Sequence, residues 1–265
     1  MSVTLPEPRY ELRHGAVGPA LQAVEAALTA PTTRVIKESP RVTVAVASGG
    51  GEPLVLKRFR EHTVARVLEA VALGSSAHRV WQAATLMRAA GFAVPEPVAA
   101  LEQRRFGVAL RSCAIARFVQ GPPLDEVWRA RSGAARRALT LAFADYLRGL
   151  HAAGLYPQDL RAANVLVTAE NPPAFVLVDL DRVRRYRRLS WRRRRKNVVQ
   201  VHRSVGRGAP RRESLRFLRR YLGDPSAAEL RRVAAEVAAM GRRKDAEYAR
   251  RRGLAAPAHA DTRRA

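Results

Sequence analysis

Leu155–Val167 reads LYPQDLRAANVLV. An acid, Asp159, stands five residues before an amide, Asn164, between helix-like "LHAAG" and strand-like "VLV". Alone, such a pair is an ordinary cap or turn. Its neighbours in chain order change the reading. Upstream, "PLVLKRF" places Lys57 inside a strand, and downstream "AFVLVDLD" ends a strand on Asp179.

Phosphoryl transfer needs a carboxylate to orient the attacking hydroxyl, oxygen ligands for a metal and a cation on the nucleotide phosphates. Asp159, then Asn164 with Asp179, then Lys57 are the residue types for those tasks. Each alone has a bland explanation: a turn pair, a helix cap, a solvated lysine on a sheet edge. Their joint occurrence in strand and loop contexts is the specific signal. Lys57 also stands out by type, because of 48 basic residues only Lys37, Lys57, Lys196 and Lys244 are lysine. A compact ammonium in an arginine-rich chain asks for a reason that a planar guanidinium would not satisfy.

The surrounding pattern predicts an α+β chain in two lobes. Val17, Leu21, Val24 and Leu28 recur at helical spacing and predict a leading helix over about 10–30. "TRVIKES", "RVTVAVAS" and "PLVLKRF" read as strands, the last two joined by a "GGGE" hairpin turn. Gly49, Gly50 and Gly51 continue into a strand, not into the lysine-serine and helix of a phosphate-cradling loop. Any loop covering a nucleotide is then the earlier turn at Glu38, Ser39 and Pro40. Two helices, "EHTVARVLEAVAL" and the serine-capped "SSAHRVWQAATLMRAAG", precede two more strands in "FAVPEPVAALEQRRFGVALRSCAIARFVQG". The expected small lobe, 1–120, is thus a five-stranded antiparallel sheet with a helix. Helices dominate 121–240, and 241–265, rich in arginine and alanine, is expected to fray.

Composition narrows the chemistry. A hydrophobic content of 47 % over 265 residues supports a sizeable core. A single cysteine, Cys113, in the apolar run "RSCAIARFV" excludes an intramolecular disulfide and a multi-cysteine zinc site. No run approaches the roughly 20 apolar residues of a membrane span, and the N-terminus lacks an apolar signal core, so a cytoplasmic protein is expected. The formal charge of +25 predicts an acidic partner. The six histidines show no metal-ligand spacing, and His151 reads as a structural hydrogen-bonding residue. No zinc spacing or stacking aromatic motif favours nucleic acid.

"LVLKRFR", "SSAHRVWQAATLMRAAGFAVPEP", "ARFVQGPPL", "LHAAGLYPQDLRAANVLV", "VLVDLDRVR" and "RRRRKNVVQVHRS" together resemble the protein-kinase-like fold. More narrowly, they resemble the bacterial lipopolysaccharide core kinases that phosphorylate Kdo or heptose, over about 34–222. The resemblance implies ATP and Mg2+ in a cleft between lobes and transfer to a sugar hydroxyl of the lipopolysaccharide inner core. It makes Asp159 the catalytic carboxylate, Asn164 and Asp179 the metal ligands, and Lys57 the holder of the α and β phosphates. Val55, on the same strand face as Lys57, would roof the adenine. Arg117, Phe118 and Val119 take the hinge position whose backbone would meet its edge. A kinase for protein serine or a small molecule, and a non-catalytic protein on the same fold, stay open as rivals.

Three departures from the kinase pattern stand out. The histidine and arginine that precede the catalytic aspartate are Pro157 and Gln158, which implies activity without a phosphorylated activation loop. The glycine of the metal-binding triplet is Asp181. The helix over 75–90 has no acid for Lys57, leaving Glu69 or the nucleotide itself as its partner. Finally, "RVRRYRRLSWRRRRK" carries ten cations in fifteen positions, 182–196, with Tyr186 and Trp191 interleaved. It reads either as a solvated face or as a surface for the polyanionic glycolipid and an anionic membrane, on the cytoplasmic face of the inner membrane.

Overall fold

The computed structural model describes residues 11–15, 34–48, 52–60, 63–205 and 210–252. These lie within two compact units: Met1–Gly121 with Val176–Arg184, and Pro122–Phe175 with Arg185–Ala265. The chain therefore passes from first unit to second at the Gly121-Pro122-Pro123 punctuation and returns once, carrying Asp179 and Asp181 to the sheet that holds Lys57.

The first unit runs β1 (Glu11–Gly15), β2 (Arg34–Glu38), β3 (Val42–Ala47), β4 (Leu54–Arg60), α1 (Val64–Leu73), α2 (Ser76–Ala89), β5 (Pro97–Arg105) and β6 (Val108–Arg117). Its sheet has six strands in the order β1-β5-β6-β4-β3-β2, one more than expected. The extra strand is β1, which pairs antiparallel with β5 where the leading helix was expected to begin. The rest of that expected helix lies outside the described residues, as do Gly49, Gly50 and Gly51.

Alternation in β4 sets the two faces of the sheet. Leu56 is fully buried with Ala47, Ala99, Leu101, Cys113 and Ile115. On the other face Phe59 packs with Ala77, Ala100 and Ala114, against Val80 and Trp81 of α2. Ser75 caps α2 by accepting from the His78 amide and donates its hydroxyl to Glu102, 2.6 Å away. That bond and Arg104 hold the Glu102 carboxyl below its ordinary range despite burial.

The second unit is largely helical: α3 (Leu124–Ala130), α4 (Gly133–Ala152), β7 (Leu155–Pro157), a 3-10 turn (Ala162–Asn164), β8 (Val165–Glu170) and β9 (Pro173–Leu177), whose last two residues belong to the first unit. After β10 (Val183–Arg185) come α5 (Trp191–Val205), α6 (Arg211–Leu222) and α7 (Ala227–Arg251). Leu139, Phe143, Leu147 and Leu150 form one buried stripe of α4, and Phe143 meets Phe175 edge-on at 5.3 Å. α7 continues to Arg251, so 241–251 is helical where fraying was expected. Ala and Arg are strong helix formers, and Val233, Val237, Gly241 and Ala249 bury one side of it.

Gly154 closes α4 at φ +74°, where a Cβ would lie 2.0 Å from the Tyr186 carbonyl. The Tyr186 amide donates to Gly154 O at 2.9 Å. Glycine is thus required both by the left-handed backbone and by the close approach, and it aims the chain into the Asp159 loop.

Candidate active site

β4 presents Lys57 between Val44 and Ala114 in register, with Val55 two residues away on the same face between Val46 and Ala116. An ammonium half-buried among apolar side chains needs a counter-charge. It has two. The Lys57 Nζ donates to the Asp179 carboxylate and lies 3.4 Å from Asp181 Oδ1. Burial alone would lower the lysine, but the Asp181 and Asp179 charges outweigh it and raise its pKa. For Asp179, burial is outweighed by the Lys57 charge, which keeps it below the ordinary carboxylate range. Asp181 goes the other way, pushed up by burial and by its neighbour Asp179.

The missing helical acid is therefore supplied from the strand end that returns to the first unit. Glu69 does not take that place; it lies 3.9 Å from Arg79 and 3.9 Å from Arg184. The sequence signal for Asp181 is the Asp-Leu-Asp spacing, which puts two carboxylates on one side of an extended segment.

Arg117 is exposed at the end of β6, ion-paired with Glu52 and, at 2.9 Å, with Glu96. Its amide donates to Glu96 O at 2.9 Å and that of Phe118 to Pro53 O at 2.8 Å. Both amides are thus engaged within the first unit. In the turn after β2, Ser39 Oγ accepts from the Val42 amide at 3.0 Å and donates to Val42 O at 2.9 Å.

In the second unit, Asp159 and Asn164 flank one loop. The Asp159 side chain is 39 % exposed, with Arg161 Nε 3.1 Å from its carboxylate. Asn164 Nδ2 reaches the Asp159 carbonyl at 3.5 Å. The loop is held from α5. Asn197 Nδ2 donates to Pro157 O at 2.6 Å, Gln200 Nε2 donates to Gln158 O at 2.9 Å, and Ser204 Oγ accepts from the Ala162 amide at 2.8 Å. His151, buried, bridges Tyr221 OH at 2.7 Å and Asn197 Oδ1 at 3.0 Å. Burial pushes its pKa down to about 4. It is a neutral structural residue, as its place in the sequence suggested. The polar spacing of Asn197, Gln200 and Ser204 among Val198, Val199 and Val201 was the available sign of this clamp.

The basic run divides by role. Arg194 donates to Tyr221 OH at 2.9 Å, Arg195 pairs with Glu236 at 2.8 Å, and Trp191 Nε1 also donates to Glu236 at 3.0 Å. Arg193 stacks over Tyr186 at 4.1 Å. Arg185, Arg187, Arg188 and Arg192 are exposed. Among the described residues, no helix is long and apolar enough to cross a membrane.

A sheet-bearing unit with a paired strand lysine, followed by a helical unit with an aspartate-asparagine loop, is the kinase-like fold. Residues 74–221 match the sequence model of the lipopolysaccharide kinase (Kdo/WaaP) family, and the chain belongs to that family. It is a kinase: an ATP-dependent phosphotransferase with an alcohol group as acceptor, in lipopolysaccharide biosynthesis. A solved structure of WaaP in complex with acyl carrier protein aligns over 89 % of this chain and 97 % of that one, with TM-score 0.64 and 23 % identity, a likeness of fold. A Stt7 homolog from Micromonas algae soaked with ATP aligns over 57 % of this chain and 49 % of that one, with TM-score 0.39 and 13 % identity. A search of curated proteins found no match.

Proposed function

We propose that the protein transfers the γ-phosphoryl group of ATP to a Kdo or heptose hydroxyl of the lipopolysaccharide inner core. The observation that carries the reading is the Lys57 ammonium seated against Asp179, within a chain of the lipopolysaccharide kinase family. Asp159 orients the sugar hydroxyl and takes its proton. Lys57 holds the α and β phosphates, with Val55 roofing the adenine and Val119 meeting its edge.

Asp179 and Asn164, each in its own unit, are donor types suited to Mg2+. Asp179, kept ionised by Lys57, and the Asn164 amide oxygen are hard oxygen donors. Among the described residues no group of three or more His, Cys, Asp or Glu could hold a metal. When bound, it would offset charge on the transferred group. The exposed arginines Arg185, Arg187, Arg188 and Arg192 face the polyanionic glycolipid at the cytoplasmic face of the inner membrane.

The test compares dephosphorylated inner-core lipopolysaccharide, free Kdo and heptose, and a serine-containing protein as acceptors for ATP consumption with and without Mg2+. Turnover confined to the glycolipid with Mg2+ is expected; equal turnover on the protein acceptor contradicts the reading.

A further inference from the structure

We infer that Asn197 and Gln200 are positioning residues for Asp159, clamping the carbonyls of Pro157 and Gln158 from α5 in place of the histidine-arginine preface this chain lacks. The inference rests on Asp159 being the catalytic carboxylate.

Pro157 contributes no amide hydrogen, yet its buried carbonyl still needs a donor. Asn197, itself fully buried, supplies it at 2.6 Å. One turn on, Gln200 supplies the carbonyl of Gln158 at 2.9 Å. Ser204 adds a third point at the Ala162 amide. Spacings of three and four place the three side chains on one face of α5. Their contacts fall two and one residues before Asp159 and three after it, so the loop is gripped on both sides of the carboxylate.

The directions of the bonds are fixed by chemistry. A carbonyl only accepts, so the Asn197 nitrogen must face Pro157 and its oxygen must face His151. His151 then donates from Nε2 and accepts at Nδ1 from the Tyr221 hydroxyl, whose oxygen accepts from Arg194 Nε. The second Asn197 hydrogen goes to Gln200 Oε1 at 2.8 Å, which frees the Gln200 amide nitrogen for Gln158. Each member donates toward the loop, and the buried network is closed. Such a network gives the loop a single position. A displacement of about 1 Å at a reacting group costs on the order of 10²-fold in rate.

The full-length chain carrying Asn197→Asp or Gln200→Glu tests this, since each replaces the donor nitrogen by an oxygen of the same size. Assayed with ATP, Mg2+ and dephosphorylated inner-core lipopolysaccharide, each should lose about 10- to 100-fold in kcat while KM for ATP stays within about twofold. Gln200 is only half-buried, so Gln200→Glu decides if Asn197→Asp does not fold. A folded Gln200→Glu with kcat within about twofold of the parent overturns the proposal. So does a loss of melting temperature and ATP affinity with kcat per folded molecule unchanged. Asp159→Ala, run in parallel, separates the two readings: if it still transfers phosphate, the catalytic role of Asp159 falls. If it is inactive while Gln200→Glu is not, only the positioning role falls.

Discussion

The Lys57 ammonium rests against the Asp179 carboxylate across a separation of 122 residues, with Asp181 3.4 Å from the same nitrogen. Two half-buried carboxylates share one cation. Lys57→Met should therefore do two things. Transfer falls on the order of 10²- to 10³-fold, as for loss of a charge-stabilising donor. Stability falls by roughly 1–2 kcal/mol, because two acids lose their partner in a partly solvated site. Lys57→Arg should restore much of the stability and little of the rate, since a planar fork does not replace a point charge. Steady-state kinetics and urea denaturation of the two variants check both halves.

His151 predicts a pH signature. Its folded pKa is about 4 against an ordinary 6.5, so the unfolded chain binds the proton more readily. Its contribution is fully present above about pH 6.5 and is lost as pH falls toward 4. The size is about 3 kcal/mol across that window. Wild type should lose more stability than His151→Gln between pH 7 and about 4. The gap between the two curves, measured by thermal or urea unfolding, should change by about 3 kcal/mol between pH 7 and about 4; parallel curves contradict a neutral buried imidazole.

The basic run should bind anionic membranes through only part of its length. Arg185, Arg187, Arg188 and Arg192 are exposed, while Arg194 and Arg195 are tied to Tyr221 and Glu236. Changing these four arginines to glutamate should weaken salt-sensitive binding to phosphatidylglycerol vesicles by at least about tenfold, at roughly 1 kcal/mol per cation, without lowering the melting temperature. Changing Arg194 and Arg195 should lower the melting temperature. Vesicle sedimentation over a salt series checks the first effect.

Cys113 is fully buried, and burial pushes its thiol up to about 12. It should resist a thiol reagent at pH 8 in the native protein and react promptly in denaturant. Reaction at the free-cysteine rate in the folded state would show that the sheet core opens.

Much of this was legible in the sequence because it was local. Lys57, Asp159, Asn164 and Asp179 each sit in a strand or loop whose own residues announce it, and the hairpin of β3 and β4 follows from their β-branched residues. What escaped was set by distant partners. β1 is five residues of mixed polarity, ELRHG, made a strand by pairing with β5 some ninety residues on. The partner of Lys57 was sought in a helix, as in protein kinases, whereas it arrives with the segment that returns from the second unit. α7 has too few large apolar residues to read as core, and its helix rests on propensity and a narrow buried stripe. The clamp on Pro157 and Gln158 was hidden because its donors are side chains some forty residues downstream.

The most direct measurement is mass spectrometry of dephosphorylated inner-core lipopolysaccharide after incubation with ATP, Mg2+ and either the wild-type protein or Asp159→Ala. The account predicts a glycolipid heavier by phosphate with wild type, no such product with Asp159→Ala, and ATP binding kept by the variant. Phosphate on the glycolipid from both proteins, or from neither while both bind ATP, would contradict it.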